Sequence, residues 1–215
     1  MIFVRALELF NKKGIEYIGI RELADDLDLH VGNVTYYFPR KENLVEEISL
    51  RLRKANEHTF NAFGKANLTL FDFLESHKRV FQNQYQYRCL PLSFVQLLRN
   101  YPNFYRRYKL TEQERWNSLR SAILSFRQSG QLATSVTDEE IGDLVSLCSF
   151  ISRLWLSEAS VSFREKKIEW IIAHYLALLA RVVEPHTSSK GKKEVVRFLA
   201  TLRQDEERQK KSGAK

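Results

Sequence analysis

The chain has 215 residues, of which 44% are hydrophobic and 28% are charged, the balance of an ordinary soluble globular protein. No apolar run approaches the roughly 18–20 residues of a membrane span and no signal peptide is apparent, so we expect a cytoplasmic protein without a membrane partner. The formal net charge is +8, yet residues 1–60 hold nine Lys/Arg against ten Asp/Glu, so total charge alone does not identify a nucleic-acid-binding part.

Two helices are predicted close to the N-terminus. The first spans residues 2–13, where apolar side chains recur at helical spacing and Gly14 suits the end of a helix. The second spans residues 20–27, where four apolar residues follow the i, i+3, i+4, i+7 spacing of one buried stripe. Both helices are therefore expected to bury one face.

A short third helix is predicted over residues 31–37, and Pro39 follows its end. Val34 and Phe38 lie one helical turn apart and are expected to point inward together. The neighbouring rim consists of two i, i+4 pairs: Asn33 with Tyr37, and Gly32 with Tyr36. Such a polar, aromatic and short-chained rim suits the DNA major groove, where an amide pairs with adenine and small residues admit close approach.

The segment ALELF at residues 6–10, followed by IRELADDLDLHVGNVTYYFPRKENL at residues 20–44, resembles the N-terminal helix-turn-helix domain of the TetR/AcrR family of bacterial regulators. The most specific part is the run YYFPRKENL. The resemblance covers residues 2–48 by motif and extends weakly to about residue 185 through the order of helices. It implies a DNA-binding module followed by a helical domain that dimerises and binds an effector.

Residue types and resemblance together predict a DNA-binding surface. Its residues are Arg21, Gly32, Asn33, Thr35, Tyr36, Tyr37 and Lys41. Several of them have an alternative role. Asn33 could be a turn or cap residue, and Tyr36 and Tyr37 could be half-buried packing residues. Thr35 could form a local hydrogen bond instead of contacting a thymine methyl group. Lys41 opens the fourth helix, where its ammonium and the positive end of the helix dipole favour a phosphate.

The rest of the chain predicts a larger helical body. Capping boxes, a Ser or Thr with an acid three residues later, mark helix starts at Thr69, Thr137 and Ser162. Further helices are predicted over residues 41–62, 69–87, 91–99, 103–129, 138–157 and 163–183. No strand alternation is visible, so the predicted fold class is all-α: a three-helix helix-turn-helix domain followed by a helical effector-binding and dimerisation domain.

The two predicted helices at 138–157 and 163–183 are apolar over most of their girth and need cover on two sides. We expect the subunit to cover one side and the same pair in a second copy to cover the other, giving a homodimer. The alternative is a monomer with a deeply buried hairpin. A dimer also places two recognition helices about 34 Å apart, the spacing of a near-palindromic operator in double-stranded DNA.

Residues 69–129 carry many aromatic side chains. The resemblance implies that a small-molecule effector enters among these helices and releases the protein from DNA, whereas an aromatic stripe at helical spacing is more often core. No effector residue is therefore assigned, and His77, Phe81 and Trp116 are the first to check.

The C-terminal 29 residues are predicted as a polar, basic, glycine-containing linker, a short amphipathic helix and a tail. The expected apolar side of that helix consists of Val195, Val196, Leu199 and Leu202. The predicted domains are residues 1–47 for DNA binding, 48–186 for ligand binding and dimerisation, and 187–215 as C-terminal linker, helix and tail.

Motifs of catalysis or metal binding are absent from the sequence. The five histidines show no metal-ligand clustering, and Cys89 and Cys148 have neither CxxC spacing nor a nucleophile context. We expect buried free thiols, no metal, no cofactor and no enzymatic activity. The predicted function is a one-component transcription regulator, most often a repressor in such a family. The alternative is a helical effector-binding or protein-docking dimer without DNA binding, suggested by the acidic N-terminal head.

Overall fold

The computed structural model of the chain describes residues 1–62 and 68–212. Within these ranges the protein is all-α, as predicted, with an isolated antiparallel bridge between Leu132 and Thr187 and no β-strand. The helices are α1 (Ile2–Lys13), α2 (Ile20–Asp26), α3 (Val31–Tyr37), α4 (Lys41–Ala62), α5 (Leu70–Gln86), α6 (Cys89–Leu92), α7 (Phe94–Asn100), α8 (Pro102–Gln128), α9 (Asp138–Ser162), α10 (Ile168–Val183) and α11 (Ser189–Ser212).

The helices form two compact units. The first unit comprises Met1–Asn56 and Asn83–Thr111, and the second comprises Glu57–Gln82 and Glu112–Lys215. The first unit thus contains the predicted 1–47 segment together with a stretch much later in the chain. The division of the sequence at residues 47 and 186 stays a prediction.

A single apolar core holds the first unit together, and two separate stretches of the chain contribute to it. Its buried members are Ala6, Leu9, Phe10, Ile15, Ile18, Leu23, Ala24, Val34, Leu44, Val45 and Ile48 from the N-terminal stretch, and Cys89, Leu90, Leu97 and Phe104 from the later one. The first three helices therefore do not complete their own core. Non-local side chains close it, which removes apolar surface from water on both stretches.

Polar contacts fix α1 against α2. The Arg5 guanidinium donates from Nε to Asp26 Oδ2 at 2.5 Å and from Nη2 to Asp26 Oδ1 at 3.0 Å. These hydrogen bonds hold the pKa of the Asp26 carboxyl below its usual range. At the end of α1, Gly14 has a φ of 94°, a left-handed backbone value that a glycine adopts without steric cost.

The predicted helix over 91–99 is wrong in detail. The chain forms two short helices there, α6 and α7, with the buried Ser93 between them. Pro91 lies within α6, where its lack of an N–H costs nothing in a first turn, and Pro102 is the first residue of α8.

In the second unit, two of the three predicted capping boxes are present. Asp72 N donates to Thr69 Oγ1 at 3.1 Å, and Glu140 N donates to Thr137 Oγ1 at 3.2 Å. The predicted start at Ser162 is wrong. Ser162 is the last residue of α9, its hydroxyl donates to Glu158 within that helix, and α10 begins only at Ile168. The hydroxyl is thus used locally instead of capping a new helix.

The predicted linker after residue 186 is wrong as well, because α11 begins at Ser189 and includes the glycine. Ser188 Oγ accepts from Lys190 N and Gly191 N at 3.2 and 3.3 Å, which caps the helix. The buried face of α11 carries Val195, Phe198 and Leu202. Sequence analysis placed Val196 on this face, but Val196 is 52% exposed. Phe198 is buried there instead.

From the sequence we expected no apolar stretch near the length of a membrane span, and α9 differs from that expectation. It is the one helix of residues 1–62 and 68–212 that is long and apolar enough to cross a membrane, with 33% of its apolar window buried inside the subunit. One face packs against the subunit through Leu144 and Trp155. The other presents Leu147 and Phe150, which are 48% and 62% exposed.

Candidate nucleic-acid interface

Helices α2 and α3 form a helix-turn-helix. The chain turns sharply at Asp28, whose φ of 54° is a left-handed value that aspartate tolerates better than most residues. Leu29 N then donates to Ala24 O at 2.9 Å, which ties the turn back onto α2. Helix α3 starts at Val31, with His30 before it in an extended conformation. The turn thus sets the direction in which α3 leaves α2.

Helix α3 is held from behind by Val34, which is fully buried in the first unit's core. The rest of its surface carries Gly32, Asn33, Tyr36 and Tyr37, all of them exposed. The tyrosines are 80% and 66% exposed, and their rings meet edge to face with centroids 5.0 Å apart. The rim expected from the sequence is therefore brought together on one solvent-facing surface.

Thr35 departs from this surface. It is half-buried, and its hydroxyl donates to Gly32 O at 3.3 Å, which matches the local hydrogen bond that sequence analysis left as an alternative. Its methyl group keeps the option of a thymine contact.

Two basic residues flank the recognition helix. Arg21 lies exposed in the first turn of α2, next to Glu22, whose carboxylate accepts from Gly19 N at 3.0 Å. Lys41 opens α4, and its Nζ donates to Glu16 O at 3.4 Å. Partial burial lowers the pKa of the Lys41 ammonium, and nearby glutamates oppose that shift.

Lys41 also borders a cleft of about 250 Å³ within the first unit. The cleft is lined by Ile15, Glu16, Lys41, Gln96, Leu97, Asn100 and Tyr101. Lys41 thus stands between the Glu16 carbonyl and an open space of the first unit.

Sequence reasoning missed Tyr17, which is 79% exposed in the turn between α1 and α2. It follows Glu16 directly, so its backbone lies beside the Lys41 ammonium. An aromatic residue between the buried Ile15 and Ile18 in a short turn was the signal available. Its phenol is a further candidate for a phosphate contact.

Metal ligands and reactive thiols are the other chemistry that residue types could supply in the part of the chain that the structure describes. No group of three His, Cys, Asp or Glu side chains there is arranged to hold a metal ion. Cys89 and Cys148 are free and buried, and burial raises the pKa of each thiol to about 12. These thiols stay protonated at neutral pH and are poor nucleophiles.

Comparisons with protein families cover almost the whole helical chain. The family model described as bacterial regulatory proteins, tetR family, matches residues 2–48. The model TetR, described as bacterial transcriptional repressor, matches residues 50–195. No curated protein sequence matches the chain.

Several solved structures share the fold. A TetR-family transcriptional regulator from Marinobacter aquaeolei VT8 aligns with a TM-score of 0.82 at 18% identity, covering 94% of this chain and 96% of that one. The ketosteroid transcriptional regulator KstR2 of Mycobacterium tuberculosis aligns with a TM-score of 0.65 at 14% identity, covering 87% and 90%. A complex of SmeT with triclosan gives 0.65 at 13% identity, with the same coverage. At these identities the likeness concerns the fold.

Proposed function

Because the chain belongs to the TetR family of bacterial transcriptional repressors and is a DNA-binding regulator, we propose that it represses transcription as a cytoplasmic homodimer. The dimer binds a near-palindromic operator and is released by a small-molecule effector, with no catalytic step and no cofactor. The exposed face of α3, anchored from behind by Val34, is the observation that carries this proposal.

The chemistry of that face divides the DNA contacts into two roles. Asn33 presents an exposed amide that pairs with adenine, and Gly32 beside it lets the helix approach the base edges. Thr35 offers its methyl group to a thymine. Phosphate contacts come from the exposed cation of Arg21, the hydroxyls of Tyr36 and Tyr37, and Lys41 at the start of α4.

The proposed dimer interface is the outer face of α9 and α10. Leu147 and Phe150 stand exposed on α9, and Val161 near its end is 82% exposed. A soluble protein rarely leaves such an apolar helix face in water. A second copy of the same helix pair covers it in a two-fold arrangement, and the two α3 helices of such a dimer must lie about 34 Å apart to read one turn of DNA.

The proposed effector site lies in the aromatic interior of the second unit. Phe81 stacks on Trp155 with ring centroids 4.7 Å apart, and Trp155 meets Tyr175 at 5.8 Å. Among the residues that the structure describes, the buried Tyr175 hydroxyl has no hydrogen-bond partner, and a ligand acceptor would satisfy this donor. His77 and Phe81 belong to this interior, whereas Trp116 is 37% exposed.

Selection of bound DNA from a random pool, followed by footprinting, tests the proposed function. We expect a near-palindrome, with affinity that falls as salt rises. Asn33→Ala should cost about 1–3 kcal/mol of discrimination at one base pair per half-site. Lys41→Ala should instead weaken all sequences alike and reduce the salt slope by about one per subunit.

Two results would contradict this proposal. Equal losses on every sequence for both variants would refute the division of roles between Asn33 and Lys41. Failure of the wild-type protein to retain any DNA would leave the helical effector-binding or protein-docking dimer as the function.

A glycine substitution tests how closely DNA approaches α3. A Cβ at Gly32 would meet no atom of the protein within 4 Å, so Gly32→Ala should raise the free energy of unfolding by about 0.5–1 kcal/mol. If the helix lies in the major groove, the same methyl should lower operator affinity by about tenfold. Urea unfolding and fluorescence anisotropy measure the two quantities. Unchanged operator affinity in a stabilised variant would place Gly32 away from the bases.

A further inference from the structure

The amide of Asn11, near the end of α1, is used at both of its polar atoms. Its Nδ2 donates to Gln86 O at 2.8 Å, and its Oδ1 accepts from Cys89 N at 3.0 Å. Gln86 is the last residue of α5 and Cys89 the first of α6. These are backbone groups that a helix end leaves without an intrahelical partner. One side chain thus joins α1 to the ends of two other helices.

A second polar tie lies five residues further along the chain. The hydroxyl of the buried Ser93, between α6 and α7, donates to Glu16 Oε2 at 3.0 Å. The carbonyl of Glu16 accepts from Lys41 Nζ, the proposed phosphate contact. We call residues 86–93 the α5–α6 corner. Asn11 of α1 and Glu16 of the turn after it are therefore joined to this corner by three hydrogen bonds.

Apolar packing alone does not fix an orientation as tightly. Phe10, Cys89 and Leu90 share the first unit's core, and such contacts are non-directional. Hydrogen bonds between N–H and O are held to about 2.7–3.2 Å, with a preferred angle. A slide of α1 by about 3.4 Å, the rise of one base pair, would break both bonds of Asn11. The Asn11 amide therefore resists such a slide together with the Ser93–Glu16 hydrogen bond.

We propose that Asn11 is a positioning residue that fixes the recognition helix against the α5–α6 corner, and that loosening this tie widens the range of half-site spacings that a dimer accepts. This inference rests on the proposed function. Directional hydrogen bonds also join the three N-terminal helices: Arg5 of α1 donates to Asp26 of α2, and Leu29 N in the turn before α3 donates to Ala24 O of α2 at 2.9 Å. Asn11 touches no DNA in this scheme, and it acts through the helices that do.

Binding to re-spaced operators tests the inference. The operator selected by the wild-type protein is remade with its half-sites one and two base pairs closer together and further apart. We expect wild-type affinity to drop sharply away from the selected spacing. Asn11→Ala should reduce that spacing preference by about tenfold, a coupling of the size that one or two hydrogen bonds supply. Affinity for an isolated half-site should stay unchanged.

Matched variants separate positioning from stability. Asn11→Asp keeps the acceptor for Cys89 N but places an oxygen against Gln86 O. It should therefore also weaken the dependence of affinity on half-site spacing, which we call the spacing profile. Asn117→Ala removes an exposed amide of α8 that accepts from Gln113 Nε2 at 3.1 Å within the same helix, and it should leave the dependence of affinity on spacing unchanged. Ser93→Ala removes the hydrogen bond to Glu16 and replaces Asn11→Ala in the spacing experiment if that variant unfolds.

The outcomes are distinct. Variants that lose affinity for every spacing in equal proportion, with the profile preserved, would show that Asn11 only stabilises the fold and would overturn the inference. A wild-type protein that selects DNA but tolerates all spacings would overturn the inference while leaving the proposed function intact. A wild-type protein that selects no DNA would overturn both.

Discussion

Gly191→Ala is expected to lower the free energy of unfolding by about 3 kcal/mol, the upper end of the cost of overpacking a well-packed core. A Cβ at this position would lie 2.0 Å from Gln131 O and 3.0 Å from Leu70 Cδ1. The backbone oxygen cannot move freely, because it accepts from Ser188 N at 3.0 Å. Relief by undocking α11 would expose Phe198 and its neighbours on the buried face of the helix. Urea unfolding at fixed protein concentration measures the loss.

Gly142→Ala is the matched control for this substitution. Gly142 lies inside α9, and a Cβ there would meet nothing within 4 Å. This change should raise the free energy of unfolding by about 0.5–1 kcal/mol through helix propensity. If the two alanine variants unfold at the same denaturant concentration, the close approach of α11 to Gln131 O does not constrain the fold. Faster proteolysis within residues 189–212 of Gly191→Ala would identify undocking as the route of relief.

The same contact explains why sequence analysis assigned a linker where a helix begins. The run SSKGKK has the composition of a solvated loop, and glycine weakens a helix by itself. Here Gly191 is needed because the backbone of Gln131 passes directly over it. Gln131 is buried, and its side chain accepts from Leu70 N at 2.8 Å and donates to Leu68 O at 3.1 Å. The contact between Gly191 and Gln131 thus overrides the loop preference of this run, and no pattern in the neighbouring sequence indicates it.

Local signals did predict the elements that carry the proposed site. The apolar spacing of α2 and the position of Val34 were enough to place Asn33 and Tyr37 on the solvent side of α3. Capping boxes at Thr69 and Thr137 located helix starts because their hydrogen bonds join residues only three apart. Features that depend on residues a few positions apart can therefore be predicted from the sequence.

Non-local contacts account for what was missed. The core of the first unit is completed by residues 89–104, which no periodicity within residues 1–47 indicates. Asn11 reads as an ordinary polar residue at the end of a helix, and its partners lie 75 and 78 positions away. The Ser162 box failed for a different, local reason, because its hydroxyl donates to Glu158 four residues earlier in α9.

Closure of the first unit by a later segment bears on regulation. Helix α5 reaches from Leu70 to Gln86, and Gln86 is where Asn11 binds. A displacement of Gln86 at the end of α5 would therefore act on α1 through a directional hydrogen bond. Allosteric release requires that the effector favour one orientation of the head over another. The α5–α6 corner is where such a preference would reach the recognition helix.

The pH dependence of stability should report the buried His77. Its Nδ1 donates to Phe73 O at 2.8 Å in the neutral tautomer, and burial lowers the pKa of the ring from its ordinary 6.5 to about 4. The unfolded chain takes up a proton near pH 6.5, whereas the folded chain does so only near pH 4. Between these values the unfolded state binds more protons, so the free energy of unfolding falls as pH falls, by up to about 3 kcal/mol.

His77→Phe isolates this contribution, because the variant keeps an aromatic ring among Phe73 and Phe81 and loses the titrating group. Carboxylates such as Asp26 and Glu140 titrate in both proteins and cancel in the difference. Urea unfolding of both proteins at pH 7.0, 6.0, 5.0 and 4.5 gives that difference directly. We expect the wild-type protein to lose stability relative to the variant at each step down. Parallel curves over this range would mean that the His77 ring is hydrated and accepts its proton in the folded state.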